Sequence, residues 1–317
     1  MKPNTEKTAI GIDIGGTNIE CAWIDENAQI IHQINFRTEL FETAESMVKM
    51  VSQAIEEHHQ GHQYEQLVGI GIGAPNGNYF TGSIEMAPNL KWKGHIPLAE
   101  MFKAETHLPT VLTNDANAAA YAEMLFGGAT EMNNFLVVTL GTGLGSGIVV
   151  NGEVMYGKTG FAGELGHTIA QANGRPCGCG RKGCLETYVS ATGLKLTIGE
   201  LLAVSRQNSS LRDLTNISAK NVHEAAIKGD ALAIKALEYT AKILGQKLTD
   251  YITVFSPEAV FLSGGLAHAH SYLIPTIEKT INDNVLPIFK DTTRVYPSKL
   301  LEKNAGLLGA AALIMNQ

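Results

Sequence analysis

The feature that most restricts what this chain can fold into is a strand-and-turn pattern that occurs in it twice. From Thr8 to Phe36 the sequence reads as an apolar strand, a glycine turn, a second strand, a turn over Asp25 to Ala28 and a third strand. Phe135 to Tyr156, FLVVTLGTGLGSGIVVNGEVMY, gives the same succession, with a Gly/Thr turn and then an Asn-Gly turn. We read this as an internal duplication. Between the copies, Met47, Val48, Val51, Ala54 and Ile55 form a helical apolar face, Leu67 to Ile72 and Thr110 to Thr113 read as buried strands, and Ala116 to Leu125 as an Ala-rich helix. Thr159 to Glu186 has little periodicity and much polar punctuation, which predicts a structured loop region. Beyond it, Asn221 to Lys228, Ala231 to Phe255, Ser271 to Asn282 and Ala305 to Ile314 are helical by period, and Ala259 to Ser263 is a short strand. Two such units in tandem predict an α/β fold of two lobes facing each other across a ligand cleft. The expected division is a smaller lobe of residues 1–115 plus 304–317 and a larger one of residues 116–303 that carries the loop 164–186.

Composition narrows the function. The 317 residues, 44% of them hydrophobic, can fill a core. A net charge of −7 without a basic run argues against a protein that grips a nucleic-acid backbone. No stretch has the apolar length of a signal peptide or membrane span, so the expectation is a cytoplasmic protein without a membrane partner.

The glycines cluster where a phosphate would need them. Gly15-Gly16-Thr17 forms the first turn of one copy, and Gly141-Thr142-Gly143 the equivalent turn of the other. Backbone N–H groups reach phosphate oxygens most freely where no Cβ intervenes, and the Thr hydroxyls add donors. Asp13, just before the first turn, is placed to hold Mg²⁺ through water, and Gly264-Gly265 follow a strand where an adenosine could pack. Two look-alikes are rejected. Gly152 to Thr159 fits GxxxxGK[ST], but its interior looks like a hairpin's return strand, and Gly69-x-Gly71-x-x-Ala74 is followed by Pro75 and Asn76 rather than a helix.

Cys177, Cys179 and Cys184 fall close together, ten residues or more after His167. One imidazole and three thiolates make a closed Cys₃His set, which describes a structural zinc site, while Cys21 reads as a core residue. The remaining histidines suggest less: His58, His59 and His62 end a helix and read as a solvated face, and His268 and His270 follow the Gly264-Gly265 turn.

Taken together, DIGGT at Asp13 to Thr17, LGTGLGSG at Leu140 to Gly147, GELGH at Gly163 to His167 and CGCGRKGCLE at Cys177 to Glu186 resemble the ROK family of bacterial sugar kinases and sugar-responsive repressors. The resemblance runs from about Thr8 to the C-terminal helix. It implies the actin/hexokinase-like fold, with a ribonuclease H-like sheet in each lobe, ATP and Mg²⁺ as cofactors, a structural Zn²⁺ and a homodimer. One departure is Asn76, where the family often has Gly; Asn tolerates a left-handed turn.

Asp115 begins the Ala-rich helix, and from the residues alone it is equally a helix cap or a general base kept ionised by the helix dipole. The resemblance implies the base, because Asp115 matches the catalytic aspartate of the family's NDAN stretch. It likewise implies that Asn89, Asn114, Glu164, His167 and Glu186 bind sugar hydroxyls beside Asp115, with zinc fixing the loop that carries three of them. The implied activity is transfer of the ATP γ-phosphate to O6 of glucose. Fructose, mannose, allose and N-acetylhexosamines are the alternative acceptors. A sugar-sensing repressor is the rival reading, weakened by the short segment before the first strand and the negative charge.

Overall fold

The computed structural model describes residues 7–61 and 66–317, so His62 lies outside the described residues. The chain divides into two compact units, one of Met1–Glu131, Val154–Ala162 and Glu302–Gln317, the other of Met132–Glu153 and Gly163–Leu301.

In the first unit β1 (Thr8–Ile14), β2 (Asn18–Asp25) and β3 (Ile30–Arg37) form the antiparallel meander, with β1 and β2 in register from Thr8 opposite Asp25 to Ile14 opposite Ile19. The helix α1 (Ala44–Gly61) leads to β4 (Leu67–Gly73), parallel to β1. A small sheet of β5 (Gly77–Asn78), β6 (Ser83–Glu85) and β7 (His95–Ile96) follows, then α2 (Leu98–Thr106), β8 (Thr110–Thr113) and α3 (Asp115–Phe126). The main sheet has the order β3-β2-β1-β4-β8. The C-terminal helix, Ala305–Met315, covers it so closely that a Cβ on Gly71 would overlap the Ala310 carbonyl. Small residues on both partners allow this approach. The same helix packs on α3, which is why α3 belongs to the first unit and the boundary expected at residue 115 lies further along the chain.

The second unit repeats the plan. It contains β9 (Phe135–Leu140), β10 (Leu144–Val150), β11 (Glu153–Val154), α4 (Ala191–Val204), α5 (Ala219–Ile227), α6 (Ala231–Phe255), β12 (Ala259–Ser263), α7 (His270–Asn284) and β13 (Arg294–Pro297). Its sheet has the order β11-β10-β9-β12-β13, with β12 parallel to both β9 and β13. The two sheets therefore share one topology, three meander strands and then two parallel ones, as the duplication required.

The rejected look-alikes stand as hairpin and turn: β11 occupies Glu153–Val154 with no helix opening at Thr159, and Asn76 turns the chain after β4 at φ 51°. A second expectation, after the boundary, is corrected. His58 and His59 are half-buried rather than solvated, because the end of α1 lies over β2 and β3. The His58 ring stacks on His32 at 3.9 Å between centroids and 4° between planes, and sits 4.4 Å from the buried Trp23 ring.

Candidate active site and metal centre

The first unit gathers its candidate residues at the C-terminal ends of β1, β4 and β8, the usual place for a ligand in a parallel sheet. The Gly15-Gly16-Thr17 turn is closed by the Gly15 N–H donating to the Asn18 carbonyl at 2.8 Å, and is braced by the Thr38 hydroxyl donating to the Gly15 carbonyl at 2.7 Å. Gly16 and Thr17 are exposed, and a Cβ on Gly16 would stand 2.8 Å from the Asn89 carbonyl, so the stretch carrying Asn89 abuts the loop. Asn114 caps α3, its Oδ1 accepting from the Asn117 N–H at 2.6 Å. Asp115 is the first helical residue, its Oδ1 accepting from the Ala116 N–H at 2.9 Å.

The electrostatics differ from the dipole argument. Asp115 keeps an exposed face, yet dense surrounding protein costs its charged form enough that its pKa rises, against the opposing pull of its backbone hydrogen bonds. Asp13 is pushed up to about 7, first by burial and then by the negative charges of Asp115 and Glu20. A carboxylate reachable by substrate and raised in pKa is a better proton acceptor than an ordinary aspartate. Crowded acidic groups of this kind also suit a divalent cation, which relieves their repulsion.

In the second unit the Gly141-Thr142-Gly143 turn joins β9 to β10 and is pinned to the start of α4. The Ala191 N–H donates to the Gly141 carbonyl and the Thr192 hydroxyl to the Thr142 carbonyl, each at 2.8 Å. Gly264, at the end of β12, takes φ 82° and lies against Leu140, whose carbonyl would be 2.8 Å from a Cβ there; only glycine suits that turn. Beside Gly265 opens a cavity of about 490 Å³, bordered also by Lys220, His223, Glu224, Leu266 and His268. Of these, sequence reasoning had singled out only Gly265 and His268. Lys220 and His223 sit in an ordinary amphipathic helix, where no motif marks them.

His167 and Glu186 lie on two short 3-10 turns, Leu165–His167 and Leu185–Thr187, drawn together by a β-bridge between Ile169 and Cys184. Glu164 is exposed at the entrance to the first turn. The donor atoms of His167, Cys177, Cys179 and Cys184 all lie within 4.8 Å of one another. The Cys179 and Cys184 sulfurs are 3.6 Å apart, and the Cys177 sulfur is 3.6 Å from His167 Nδ1. A tetrahedron built on ordinary zinc–sulfur and zinc–nitrogen lengths has edges of about 3.8 and 3.6 Å respectively. The donor set thus fits Zn²⁺ in both chemistry and size. The Arg181 backbone N–H and side chain pull the Cys179 thiol down to about 6, whereas burial pushes the Cys177 thiol up. With Nδ1 turned to the sulfurs, His167 Nε2 is left as an N–H donor. Glu186 Oε1 lies 3.6 Å from His167 Nδ1 and 3.0 Å from the Cys177 sulfur.

Duplicated ribonuclease H-like sheets with glycine turns after the first strand of each define the actin/hexokinase type of fold. The ROK family model matches residues 9–317, and the chain belongs to the ROK family. It is 32% identical over 320 residues to a glucokinase of Halalkalibacterium halodurans, covering 99% of this chain and 96% of that one. A ROK family glucokinase from Streptomyces griseus, solved in complex with glucose and AMPPNP, superposes with a TM-score of 0.81 at 32% identity over 98% of this chain and all of that one. A ROK family transcriptional regulator, a homologue of the E. coli MLC protein, superposes with a TM-score of 0.87 at 27% identity over 98% of this chain and 78% of the regulator. Among the described residues no helix is long and apolar enough to cross a membrane.

Proposed function

We propose that this protein is an ATP-dependent hexose kinase that transfers the γ-phosphate of ATP to O6 of glucose. The observation that carries this reading is Asp115, a reachable carboxylate of raised pKa one residue after the Asn114 cap. A similar chain at 32% identity, solved with glucose and a nucleotide analogue, supports the choice of ligands.

Asp115 accepts the proton that leaves the attacking hydroxyl, alongside the positioning and charge neutralisation on which phosphoryl transfer chiefly depends. Asn89, Asn114, Glu164, Glu186 and the Nε2–H of His167 hydrogen-bond the sugar's hydroxyls and set which oxygen attacks. The backbone N–H groups of residues 15–17 and 141–143 receive phosphate oxygens, and the nucleotide's base and ribose occupy the cavity beside Gly264 and Gly265, with His223 and Lys220 at its border. Asp13 holds Mg²⁺, which supplies charge neutralisation on the phosphates when bound. The Cys₃His set holds Zn²⁺ as a scaffold for the loop bearing His167 and Glu186. The enzyme acts in the cytoplasm, where ATP is supplied and thiolates stay reduced, and as a homodimer, the state its family resemblance implies.

The test is ADP release by the purified protein with Mg²⁺-ATP against glucose, mannose, fructose, allose, N-acetylglucosamine and N-acetylmannosamine. Selective turnover of glucose is the expected result. Selective turnover of another sugar reassigns the acceptor, and no turnover by folded, zinc-loaded protein replaces the kinase reading with that of a sugar sensor.

A further inference from the structure

Val154–Ala162 belongs to the first unit although the chain on both sides of it belongs to the second. Tyr156 anchors this strap. Its ring stacks on Tyr79 with centroids 4.3 Å apart and planes at 8°, and Phe80 meets it edge-on at 5.8 Å. Asn78 locks the far end, its Nδ2 donating to the Thr159 carbonyl at 2.9 Å while its Oδ1 accepts from the Phe80 N–H at 3.0 Å. The Ala162 N–H closes the strap on the Tyr156 carbonyl at 3.1 Å.

Held this way, the Tyr156 hydroxyl is delivered to the element that bears Asp115. It lies 3.4 Å from the Tyr121 hydroxyl on α3 and interacts with the hydroxyl of Thr113, two residues before Asp115. Two polar side chains near Asp115, one at the end of β8 and one on α3, lack well-formed bonds of their own. The Thr113 hydroxyl is buried without a well-formed hydrogen bond, and the amide of Asn117, one helical turn from Tyr121, is buried with no partner among the described residues. Stacking on Tyr79 needs only a ring. A phenylalanine would stack as well and would avoid burying a polar group, so the hydroxyl serves something other than packing.

The geometry points to Tyr156 as a positioning residue for Asp115, acting through the Tyr121 hydroxyl on α3; this rests on the reading of Asp115 as the base. The strap sets the base's orientation from outside its own helix, and the requirement is tight, since a displacement of about 1 Å in such a group lowers turnover by up to about 100-fold.

The experiment is a double-mutant cycle of Tyr156→Phe and Asp115→Asn, with kcat, both KM values and the unfolding temperature measured for each protein. Tyr156→Phe should lower kcat by about tenfold or more with the KM for Mg²⁺-ATP unchanged, and should add nothing to the loss in Asp115→Asn. Asn78→Ala, which frees the strap by a different bond, should reproduce the same kcat-selective loss. A Tyr156→Phe enzyme with wild-type kcat and only a lower unfolding temperature overturns the proposal, as does a loss that multiplies fully with that of Asp115→Asn. Near-normal turnover of Asp115→Asn alone overturns the base assignment and this proposal with it, an outcome read from a different variant.

Discussion

Glu186 lies against Gly143: a Cβ on that glycine would stand 2.8 Å from Glu186 Oε2. The other oxygen of the same carboxylate is 3.6 Å from His167 Nδ1. One side chain therefore touches both a candidate phosphate loop and the thiolate–imidazole cluster, and displacing it disturbs both. Gly143→Ala should fold normally, because the obstruction is the free end of a flexible side chain, and should raise the KM for sugar several-fold while the unfolding temperature stays within a degree or two. Unchanged sugar KM would separate Glu186 from sugar binding.

Asp115→Asn should lose about 100-fold or more of kcat, the ordinary worth of a positioned base, while binding sugar nearly as well by calorimetry. In the wild-type enzyme the raised pKa of Asp115 places the acid limb of the kcat profile above the ordinary aspartate range. Turnover therefore falls as pH drops through that limb. A kcat flat down to the ordinary aspartate range would contradict the burial argument.

About one zinc per chain is expected by elemental analysis, matching one Cys₃His set. Cys179→Ser should release much of that metal and raise the KM for sugar far more than that for Mg²⁺-ATP, since the loop holds Glu164, His167 and Glu186 but does not border the cavity beside Gly265. Equal effects on both substrates would mean that the metal supports the whole unit.

Asp13 carries a stability prediction whose sign is the reverse of the usual carboxylate case. Its folded pKa, about 7, lies above the ordinary unfolded value near 3.8. The folded state then binds the extra proton, so stability is full below about 4 and is lost as pH rises from there through about 7, by an amount on the order of a few kcal/mol. Without divalent cations the unfolding temperature should fall between pH 5 and 8, and saturating Mg²⁺ should remove most of that fall. A fall that Mg²⁺ leaves untouched would put the cation elsewhere.

The meanders and the long helix α6 were legible because each is dictated locally, by alternating apolar strands with glycine turns and by an uninterrupted helical period. The cysteine loop was legible because its ligand types and spacing have few other uses. Short elements that lean on their neighbours were not. The edge strand β13 has four residues and ends in Pro297, and α4 begins among the polar residues that close the metal loop. The upward shift of the Asp115 pKa was not legible because sequence shows the helix start but not the atoms around it, whose burial of the carboxylate raises its pKa. Tyr156 went unnoticed for a related reason: its partners Tyr79, Thr113 and Tyr121 are distant in the chain, and nothing local signals a strap.

The two copies of the sheet differ most in what they hold between the third meander strand and the next helix. In the first copy that slot is only residues 38–43; in the second it is residues 155–190 and includes the strap, the exposed glutamate and the metal-knit turns. The same sheet plan thus carries a bare connection in one copy and an elaborated one in the other, and the extra chemistry-bearing side chains of the second unit ride on a connection its strands do not need in order to pair.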